Sequence, residues 1–297
     1  MAGVRTKRDI EALFRYLGIR ASRRLGQNFL IDQNLLAAMV RDAQVGARDL
    51  VLDVGCGTGL LTAHLADAAG HVIGVEVDRR LFAICSRFVG ERPNVELLQC
   101  DVLASKHAME PRVLDAVRHA WATGRFEAFR VVSNLPYSVA SLVVPNVLET
   151  DLPLTLMVVT VQKEVADRMA AAPGSKDYGA LSVVVQAHAS VTIARSVPPS
   201  VFWPRPQVDS AIVRVVPEPE RRAGIADYGA FTSLVRGAFG HRRKRLANAL
   251  ATSHIVTGKE AASALLATCG IEATARAEHV SLDGYIALAN ALAREAS

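Results

Sequence analysis

The sequence predicts an α/β protein in which a mostly parallel sheet of seven strands precedes a small, C-terminal all-helical domain. From Leu50 onward, short apolar runs alternate with helical stretches, and this rhythm favours a parallel sheet with helices on both faces. A glycine-rich turn separates the first run from its helix, as expected where such a sheet binds a ligand at the carboxyl ends of its strands. Beyond Tyr228 the chain is rich in alanine and leucine at helical spacing and carries no convincing strand.

The elements can be assigned in chain order. A basic lead-in covers residues 1–25 and contains a short helix over 10–17. Helices then begin at about residue 60 and cover 78–89. The apolar and β-branched runs predict five strands, at Leu50–Val54, Val72–Val75, Val95–Leu98, Phe129–Ser133 and Leu154–Val161. Right-handed crossovers between these strands give a parallel sheet.

Two segments interrupt this rhythm. Residues 104–128 form an unusually long connection that is helical around 113–122. Residues 191–216 place four prolines between two β-branched runs, which suggests a long loop that joins two closing antiparallel strands. A linker follows at 217–222, so we expect a first domain over residues 1–220 and a helical domain over 221–297.

The composition excludes several classes of protein. Of the 297 residues, 51% are apolar and 21% charged, so a sizeable core is available and global disorder is excluded. No apolar run approaches the roughly 20 residues of a membrane span, and the N-terminus lacks the apolar block of a secretory signal. The four cysteines are scattered without a CxxC pair, which excludes a zinc ribbon and fits a reducing cytoplasm. We therefore expect a cytoplasmic monomer without a metal or a membrane partner.

The glycine-rich turn at Asp53–Gly59 follows the first strand and opens a helix. Its three glycines let the backbone turn tightly and approach a ligand without a Cβ clash. Glu76 ends the second strand, where a carboxylate can accept hydrogen bonds from both ribose hydroxyls, and Asp101 follows the third strand, where it can meet an adenine amino group. A dinucleotide-binding turn would need glycine at the position of Leu60. The pattern therefore favours a methyltransferase that binds S-adenosylmethionine over a dehydrogenase.

A second motif, Ser133–Tyr137, closes the fourth strand, and Asn-x-Pro-Tyr segments at this place are typical of amino-group methyltransferases. Asn134 Oδ1 and the Leu135 carbonyl can accept both N–H hydrogens of an exocyclic adenine amine. This favours a pyramidal nitrogen whose lone pair points at the methyl donor. Pro136 fixes the turn, and Tyr137 can stack on the extruded base, which is worth roughly 1–3 kcal/mol.

A second aromatic residue is needed for the other wall of the base pocket. Phe202, in the segment Val201–Pro206, is the candidate that we favour. Trp203 competes with it, and packing in the core explains either ring nearly as well.

Taken together, the motifs resemble the KsgA-type ribosomal RNA small subunit adenine N6,N6-dimethyltransferase family over about residues 25–292. Each segment alone is weakly specific, but a chance match of all of them in the same order is improbable. The segments that carry the resemblance are Leu25–Leu30, Asp53–Gly59, Glu76–Asp78, Asp101, Asn134–Tyr137, Gln162–Val165, Pro173–Gly179 with Leu181–Ser182, Phe202–Ser210, Phe239 with Arg242–Lys244 and Asn248, and Arg276–Glu278.

The resemblance implies a Rossmann-like class I methyltransferase sheet and an enzyme of ribosome biogenesis. Its activity would be transfer of four methyl groups from S-adenosylmethionine, two to N6 of each of two adjacent adenosines in the 3′-terminal hairpin loop of small-subunit (16S) rRNA. It also implies base contacts at Asn134–Tyr137 and Phe202, and cofactor contacts at Asn28, Leu30, Gly55, Gly57, Glu76, Asp101 and Asn134.

The sequence departs from the family pattern at two motifs. The first loop usually reads Glu-Ile-Gly-Pro-Gly in the family, whereas Asp53 and Cys56 stand here. Because no glycine changes, we expect cofactor binding to survive. The reacting motif continues with Ser138–Ser141 where the family commonly has Asn-Ile-Ser-Thr, which affects how the base is positioned.

Two basic clusters are candidates for RNA contact, which the net charge of +5 permits. The first lies in the lead-in, at Arg20, Arg23 and Arg24. The second opens what we expect to be a basic helix of the C-terminal domain, at Arg242, Arg243, Lys244 and Arg245. The alternative for each cluster is a solvated surface, since exposed charge runs are common. Our hypothesis is that they bind ribosomal RNA backbone while the pocket selects the base.

Two other functions remain open at this point. A related enzyme methylates one adenine of large-subunit rRNA and confers antibiotic resistance; Pro173–Gly179 and Arg242–Lys244 favour the small-subunit enzyme over it. The chain could also be a non-catalytic ribosome assembly factor that keeps the methyltransferase fold. Intact Asn134, Tyr137 and Glu76 argue against loss of catalysis.

Overall fold

The computed structural model describes residues 7–22, 24–241 and 244–295. The chain divides into two compact units, one comprising Met1–Ala166 and Thr192–Pro217, the other Asp167–Val191 and Glu218–Ser297. The boundary after residue 217 lies close to the predicted one at 220, but the sequence prediction assigns residues 167–191 to the other unit. Their apolar side chains, Val183 and Ala187 among them, share a core with Phe231 of the C-terminal segment. A boundary drawn along the chain cannot reveal that contact.

Twenty-four helices and strands are formed by the described residues. The first eleven are α1 (Lys7–Tyr16), β1 (Phe29–Leu30), α2 (Gln33–Asp42), β2 (Asp49–Val54), α3 (Leu60–Ala66), β3 (His71–Glu76), α4 (Arg79–Val89), β4 (Val95–Gln99), β5 (Leu103–Ser105), β6 (Ala108–Met109) and α5 (Pro111–Ala122). The others are β7 (Ala128–Asn134), α6 (Ala140–Leu148), β8 (Leu154–Gln162), α7 (Lys163–Ala170), α8 (Ala180–Gln186), β9 (Ala189–Val197), β10 (Phe202–Trp203), β11 (Ser210–Pro217), α9 (Pro219–Ala223), α10 (Tyr228–Gly240), α11 (Leu246–Thr252), α12 (Lys259–Thr268) and α13 (Leu282–Glu295).

The central sheet has seven strands in the order β4–β3–β2–β7–β8–β11–β9, so the predicted mostly parallel, seven-stranded sheet is confirmed. Strands β2, β3, β4, β7 and β8 pair in parallel, and β11 runs antiparallel to β8. From β2 the chain proceeds to β3 and β4 on one side and then returns to place β7 on the other. Such a reversal opens a crevice at the carboxyl ends of β2 and β7, where ligands of α/β sheets bind.

The lead-in and the residues directly after it contain structure that the sequence prediction lacks. The predicted helix over 10–17 is present in the lead-in as α1, but β1 and α2, which follow the lead-in, are additional. Asp32 caps α2 by accepting a 2.9 Å hydrogen bond from the Leu35 N–H, and Leu36 and Met39 bury its apolar face. Strand β1 pairs antiparallel with β10, so that Leu30 lies opposite Phe202. This pairing joins β1 to the segment between β9 and β11.

Both unusual connections carry secondary structure. In the first, α5 confirms the helix predicted around 113–122, and β5 and β6 add a small hairpin. In the second, β9 and β11 are the two closing strands, but the intervening segment is not a plain loop, because it contains a 3-10 turn at Pro199–Val201 and strand β10. Strands of two or three residues give no periodic signal, and this is why the sequence does not reveal them.

The second unit is built from helices α8–α13, together with a 3-10 turn at Ala277–His279. Tyr178 and Tyr285 are fully buried in its core, and their hydroxyls donate to the carbonyls of Val280 and Ala277 at 3.0 and 2.9 Å. Satisfying both hydroxyls lets two large polar-tipped rings fill the core. In the part of the chain that is described, none of the helices has the length and apolar character needed to cross a membrane.

Candidate active site

The glycine turn is held in a conformation that only glycine adopts easily. Gly55, Gly57 and Gly59 have φ of +71°, +59° and +85°. The N–H groups of Gly55 and Cys56 donate to the Val75 carbonyl at 2.8 and 3.0 Å, so the turn is bound to the end of β3. A Cβ atom at Gly55 would lie 2.8 Å from the Pro136 ring. The cofactor-type turn and the reacting motif are therefore in direct contact.

Two buried carboxyl groups lie beneath this turn. Asp53 is 1% exposed and accepts a 2.8 Å hydrogen bond from Thr62 Oγ1. Burial and the neighbouring Glu76 raise the pKa of Asp53 to about 7, against the opposing effect of the Thr62 bond. Burial also raises the pKa of Glu76, although its oxygens accept 2.9 and 2.8 Å bonds from the N–H groups of Gly57 and Asp78. Those two bonds fix the Glu76 carboxylate at the edge of the sheet.

The turn, the ends of β3 and β7 and residues 25–29 line one cleft. Its cavity volume is about 90 Å³, and the cleft opens to solvent. Six of the seven predicted cofactor contacts line it, namely Asn28, Gly55, Gly57, Glu76, Asp101 and Asn134. The seventh, Leu30, is buried against Phe202 and instead lines a smaller neighbouring cavity beside Asp53 and Thr58.

The side chain of Asn134 has one satisfied end and one free end. Its Nδ2 donates a 2.9 Å hydrogen bond to the Asn28 carbonyl, whereas Oδ1 is buried and has no partner among the described residues. The neighbouring Ser133 hydroxyl accepts a 2.8 Å bond from the Val54 N–H, and the Leu135 N–H donates to the Thr160 carbonyl at 3.2 Å. These bonds hold the end of β7 between β2 and β8 and leave Asn134 Oδ1 as an unused acceptor at the cleft.

The structure distinguishes the two aromatic candidates. The Tyr137 and Phe202 rings have centroids 6.4 Å apart at 70°, an edge-to-face contact. Trp203 packs instead on Phe14 and Phe29, at 5.0 and 6.3 Å between centroids. Phe202 is only 2% exposed, so in this conformation it supports Tyr137 more than it faces open space.

Sequence reasoning missed three residues that shape the site. Ser210 is fully buried on β11, and its hydroxyl is hydrogen-bonded to the Tyr137 hydroxyl. Ser133 joins the ends of β2 and β7. At Gly26, with φ +64°, a Cβ atom would lie 2.7 Å from the Ser138 nitrogen, so the backbone before β1 fits closely against the residues that follow the reacting motif. All three belong to segments singled out from the sequence, but nothing local indicates their partners.

The basic clusters are only partly described. Arg23, Arg242 and Arg243 lie outside the described residues. Arg24 is exposed in the first unit, and Lys244 and Arg245 are exposed in the second. The expected basic helix is wrong in its placement, because α10 ends at Gly240 and α11 begins at Leu246, with Arg245 as its N-cap. Lys244 and Arg245 therefore precede a helix in a connection, where Lys244 Nζ donates to Thr252 Oγ1 at 3.1 Å.

The cysteines and acidic residues do not form a metal centre in the described ranges, where no group of three or more metal-binding side chains comes together. Cys56 and Cys85 lie 3.6 Å apart between sulfurs, and all four cysteines are free thiols. The contact with Cys85, together with burial, raises the pKa of Cys56 well above that of a free thiol. Cys56 is therefore protonated at neutral pH and unsuited to act as a nucleophile.

Comparison with known proteins agrees with this geometry. The family model described as ribosomal RNA adenine dimethylase matches residues 18–294. Ribosomal RNA small subunit methyltransferase A of Alkaliphilus oremlandii is 40% identical over 276 residues, which is 92% of each chain. The protein of the same name from Lactiplantibacillus plantarum is 39% identical and covers 95% of this chain and 93% of its own.

Solved structures share the architecture. A dimethyladenosine transferase from Plasmodium falciparum superimposes with a TM-score of 0.71 at 22% identity and covers 89% of this chain and 97% of its own. The 23S rRNA methyltransferase ErmE gives a TM-score of 0.63 at 24% identity, over 90% of this chain and all of its own. At these identities the structural match establishes the fold, whereas the family model and the sequence relatives establish the family. The chain belongs to the ribosomal RNA adenine dimethylase family.

Proposed function

We propose that this protein transfers methyl groups from S-adenosylmethionine to N6 of two adjacent adenosines in the 3′-terminal hairpin loop of small-subunit rRNA. The observation that carries the proposal is the buried, unpartnered Oδ1 of Asn134 at a cleft that also contains the glycine turn and Glu76. A buried acceptor without a partner is costly, and it is retained where a ligand supplies the missing donor.

The cleft fits S-adenosylmethionine, which supplies an electrophilic methyl group when bound. The fixed carboxylate of Glu76 suits the two ribose hydroxyls, and Asp101 lies at the same cleft, where it can accept from an adenine amino group. The glycines of the turn leave room for close approach, because a Cβ atom at Gly57 would already lie 3.2 Å from the Phe29 ring. Asn28, directly before β1, would close the cleft on the opposite side from the turn.

The reacting motif can orient the target amine without a strong base. Asn134 Oδ1 and the Leu135 carbonyl accept the two N6–H groups, which directs the nitrogen lone pair into the cleft. The nitrogen becomes cationic on methylation and then releases its proton to solvent. Asp53 accepts a hydrogen bond from Thr62 next to the glycine turn, so we assign it a structural role in the turn. Water, and not Asp53, then accepts the proton that the methylated amine releases.

Tyr137 is the residue suited to hold the base. Its ring is half-buried, its hydroxyl is bonded to Ser210, and Phe202 supports one edge. A ring fixed in this way loses little entropy when an extruded adenine stacks on it. Arg24 of the first unit, and Lys244 and Arg245 of the second, are exposed cations that can bind RNA phosphates.

Methylation of large-subunit rRNA is the alternative within the same fold, and ErmE shows that this architecture serves such a protein. The names of the sequence relatives favour the small subunit, since the Alkaliphilus oremlandii and Lactiplantibacillus plantarum proteins, at 40% and 39% identity, are both named as small-subunit methyltransferases. We further propose that the enzyme acts as a monomer in the cytoplasm.

The decisive experiment incubates the protein and labelled S-adenosylmethionine with unmethylated small subunits and, in parallel, with large subunits. We expect label in small-subunit rRNA only, in two adjacent N6,N6-dimethyladenosines. Label in large subunits would establish the alternative. Tight binding to small subunits without transfer would instead identify a non-catalytic assembly factor.

A further inference from the structure

A second concave surface lies outside the cleft, between α1 with the residues that follow it and the end of β10. This groove has a volume of about 500 Å³, and its lining includes Phe14, Arg15, Arg20 and Trp203. The end of α1 creates one wall. Gly18, with φ +62°, reverses the chain while the Ile19 N–H donates to the Phe14 carbonyl at 2.8 Å, so that Arg20 lines the groove beside the helix.

The opposite wall is an aromatic ring whose position is fixed. Trp203 meets Phe14 edge-on at 5.0 Å and lies nearly parallel to Phe29 at 6.3 Å, and its ring remains partly exposed. A tryptophan held by two other rings needs no ordering when a flat ligand stacks on it. The groove therefore offers a rigid apolar surface to a base.

The charged residues of the groove favour an anion. Arg15 and Arg20 are exposed, and within the described ranges neither forms an ion pair. Glu11 adds one negative charge to the lining, so the two arginines outnumber it. Tyr16 follows Arg15 in the chain and lies outside the groove lining; it is 87% exposed, the highest exposure among the large apolar residues of the described chain. Exposed aromatic rings beside arginines are the features that bind single-stranded nucleic acid.

We propose that this groove is a subsite for a single-stranded nucleotide of the RNA substrate that flanks the target adenosines. Its base stacks on Trp203, an adjoining base stacks on Tyr16 outside the groove, and Arg15 and Arg20 bind the phosphates. The position supports this, because Trp203 directly follows Phe202 beside Tyr137, and Arg20 precedes the segment Leu25–Asn28 that lines the cleft. The inference rests on the proposed function.

The first test measures KM for unmethylated small subunits with the variants Tyr16→Ala, Tyr16→Phe and the double variant Arg15→Ala with Arg20→Ala. Tyr16→Ala removes a stacking ring and the double variant removes the phosphate contacts, so we expect each to raise KM about fivefold or more. Tyr16→Phe keeps the ring, and its KM should stay near that of wild type. Log affinity falls as log salt concentration rises, and we expect the double variant to reduce the steepness of this fall by about 1.4. Arg87→Ala, an exposed arginine on α4 that does not line the groove, is the charge-matched control.

The second test observes the groove directly. The sequence has two tryptophans, so Trp121→Phe leaves Trp203 as the single emitter. We expect its fluorescence to be quenched by an RNA that carries the target hairpin with a single-stranded extension, and much less by the hairpin alone. Unchanged KM in Tyr16→Ala and in the double arginine variant, or equal quenching of Trp203 by the two RNAs, would overturn the proposed subsite. Methyl transfer by the unaltered protein tests the proposed function separately, so the two failures are distinguishable.

Discussion

The side-chain amide of Asn134 donates a 2.9 Å hydrogen bond to the main-chain carbonyl of Asn28, a residue 106 positions earlier in the chain. The carboxamide has a donor end and an acceptor end, and this bond decides which of them stays free. Because Nδ2 is used, the buried Oδ1 is the group left to meet an incoming amine. Asn28 therefore orients the Asn134 carboxamide as well as lining the cleft.

Removing the Asn134 acceptor should abolish most of the methyl transfer. We expect Asn134→Ala to lower kcat about 100-fold or more, as loss of a group that stabilises the transition state does. Asn146→Ala is the matched control, since Asn146 is another buried asparagine, whose Nδ2 donates to the carbonyls of Lys106 and Leu142. It should lose stability and keep kcat. Equal kcat in both variants would refute the catalytic assignment of Asn134.

Ser210 should act through Tyr137. Ser210→Ala and Tyr137→Phe remove the same hydrogen bond, so each should reduce kcat/KM by about 1 kcal/mol of transition-state free energy, and the double variant should cost no more than one of them. Ser210→Thr, which restores a hydroxyl, should recover part of the activity. Steady-state kinetics on small subunits, with urea unfolding of each variant, measures both effects. Additive losses in the double variant would show that Ser210 acts independently of Tyr137.

The buried carboxyl group of Asp53 predicts a pH dependence of stability. Burial raises the pKa of Asp53 from its ordinary value of 3.8 to about 7 in the folded protein, so the folded state binds the proton more tightly. The contribution of Asp53 to the free energy of unfolding is therefore at its maximum below pH 3.8. It falls as the pH rises to about 7, by at most about 4 kcal/mol. The free energy of unfolding of Asp53→Asn should exceed that of wild type at pH 8, and the difference should shrink toward pH 5. Urea unfolding across this range checks it; a constant difference would contradict the raised pKa.

Alanine substitutions at Gly55 and Gly124 distinguish the cost of backbone strain from the cost of a steric clash. Both have positive φ, +71° and +67°, but a Cβ atom at Gly55 would lie 2.8 Å from the Pro136 ring, whereas nothing lies within 4 Å at Gly124. Gly124→Ala should therefore cost only about 1–2 kcal/mol of left-handed strain. Gly55→Ala should cost more and weaken binding of S-adenosylmethionine, because the turn or Pro136 has to move. Calorimetric titration and urea unfolding of both variants measure the contrast, and similar losses would show that the collision is relieved without consequence.

The exposed cations before α11 should contribute to RNA affinity. Lys244→Glu combined with Arg245→Glu is expected to weaken binding to small subunits and to lower the salt dependence of that binding by about 0.7 to 0.9 per lost phosphate contact. Binding of S-adenosylmethionine should stay unchanged. Filter binding at several salt concentrations provides the measurement, and unaltered affinity for small subunits would remove this cluster from the RNA-binding surface.

Much of the fold and of the site follows from patterns that are local in the chain. The alternation of apolar runs and helices predicts the parallel sheet, and the confirmed sheet puts the ends of β2, β3 and β7 at one edge. The glycine turn lies at the end of β2, and Glu76 and Asn134 are the last residues of β3 and β7. Since parallel strands share an edge, residues far apart in the sequence could be assigned to one cleft, and six of the seven predicted cofactor contacts line it.

The tertiary structure alone decided the finer arrangement. The antiparallel pairing of β1 with β10 places Phe202 beside Tyr137 and turns Trp203 toward Phe14, a choice that the sequence left open. Long-range packing likewise groups residues 167–191 with the helical unit. By itself, the sequence determined which chemical groups are present and at which strand ends they stand, because hydrophobic period and glycine position act over a few residues. Which hydrogen-bond partner each group takes depends on contacts between distant segments, and these form only when the chain is folded.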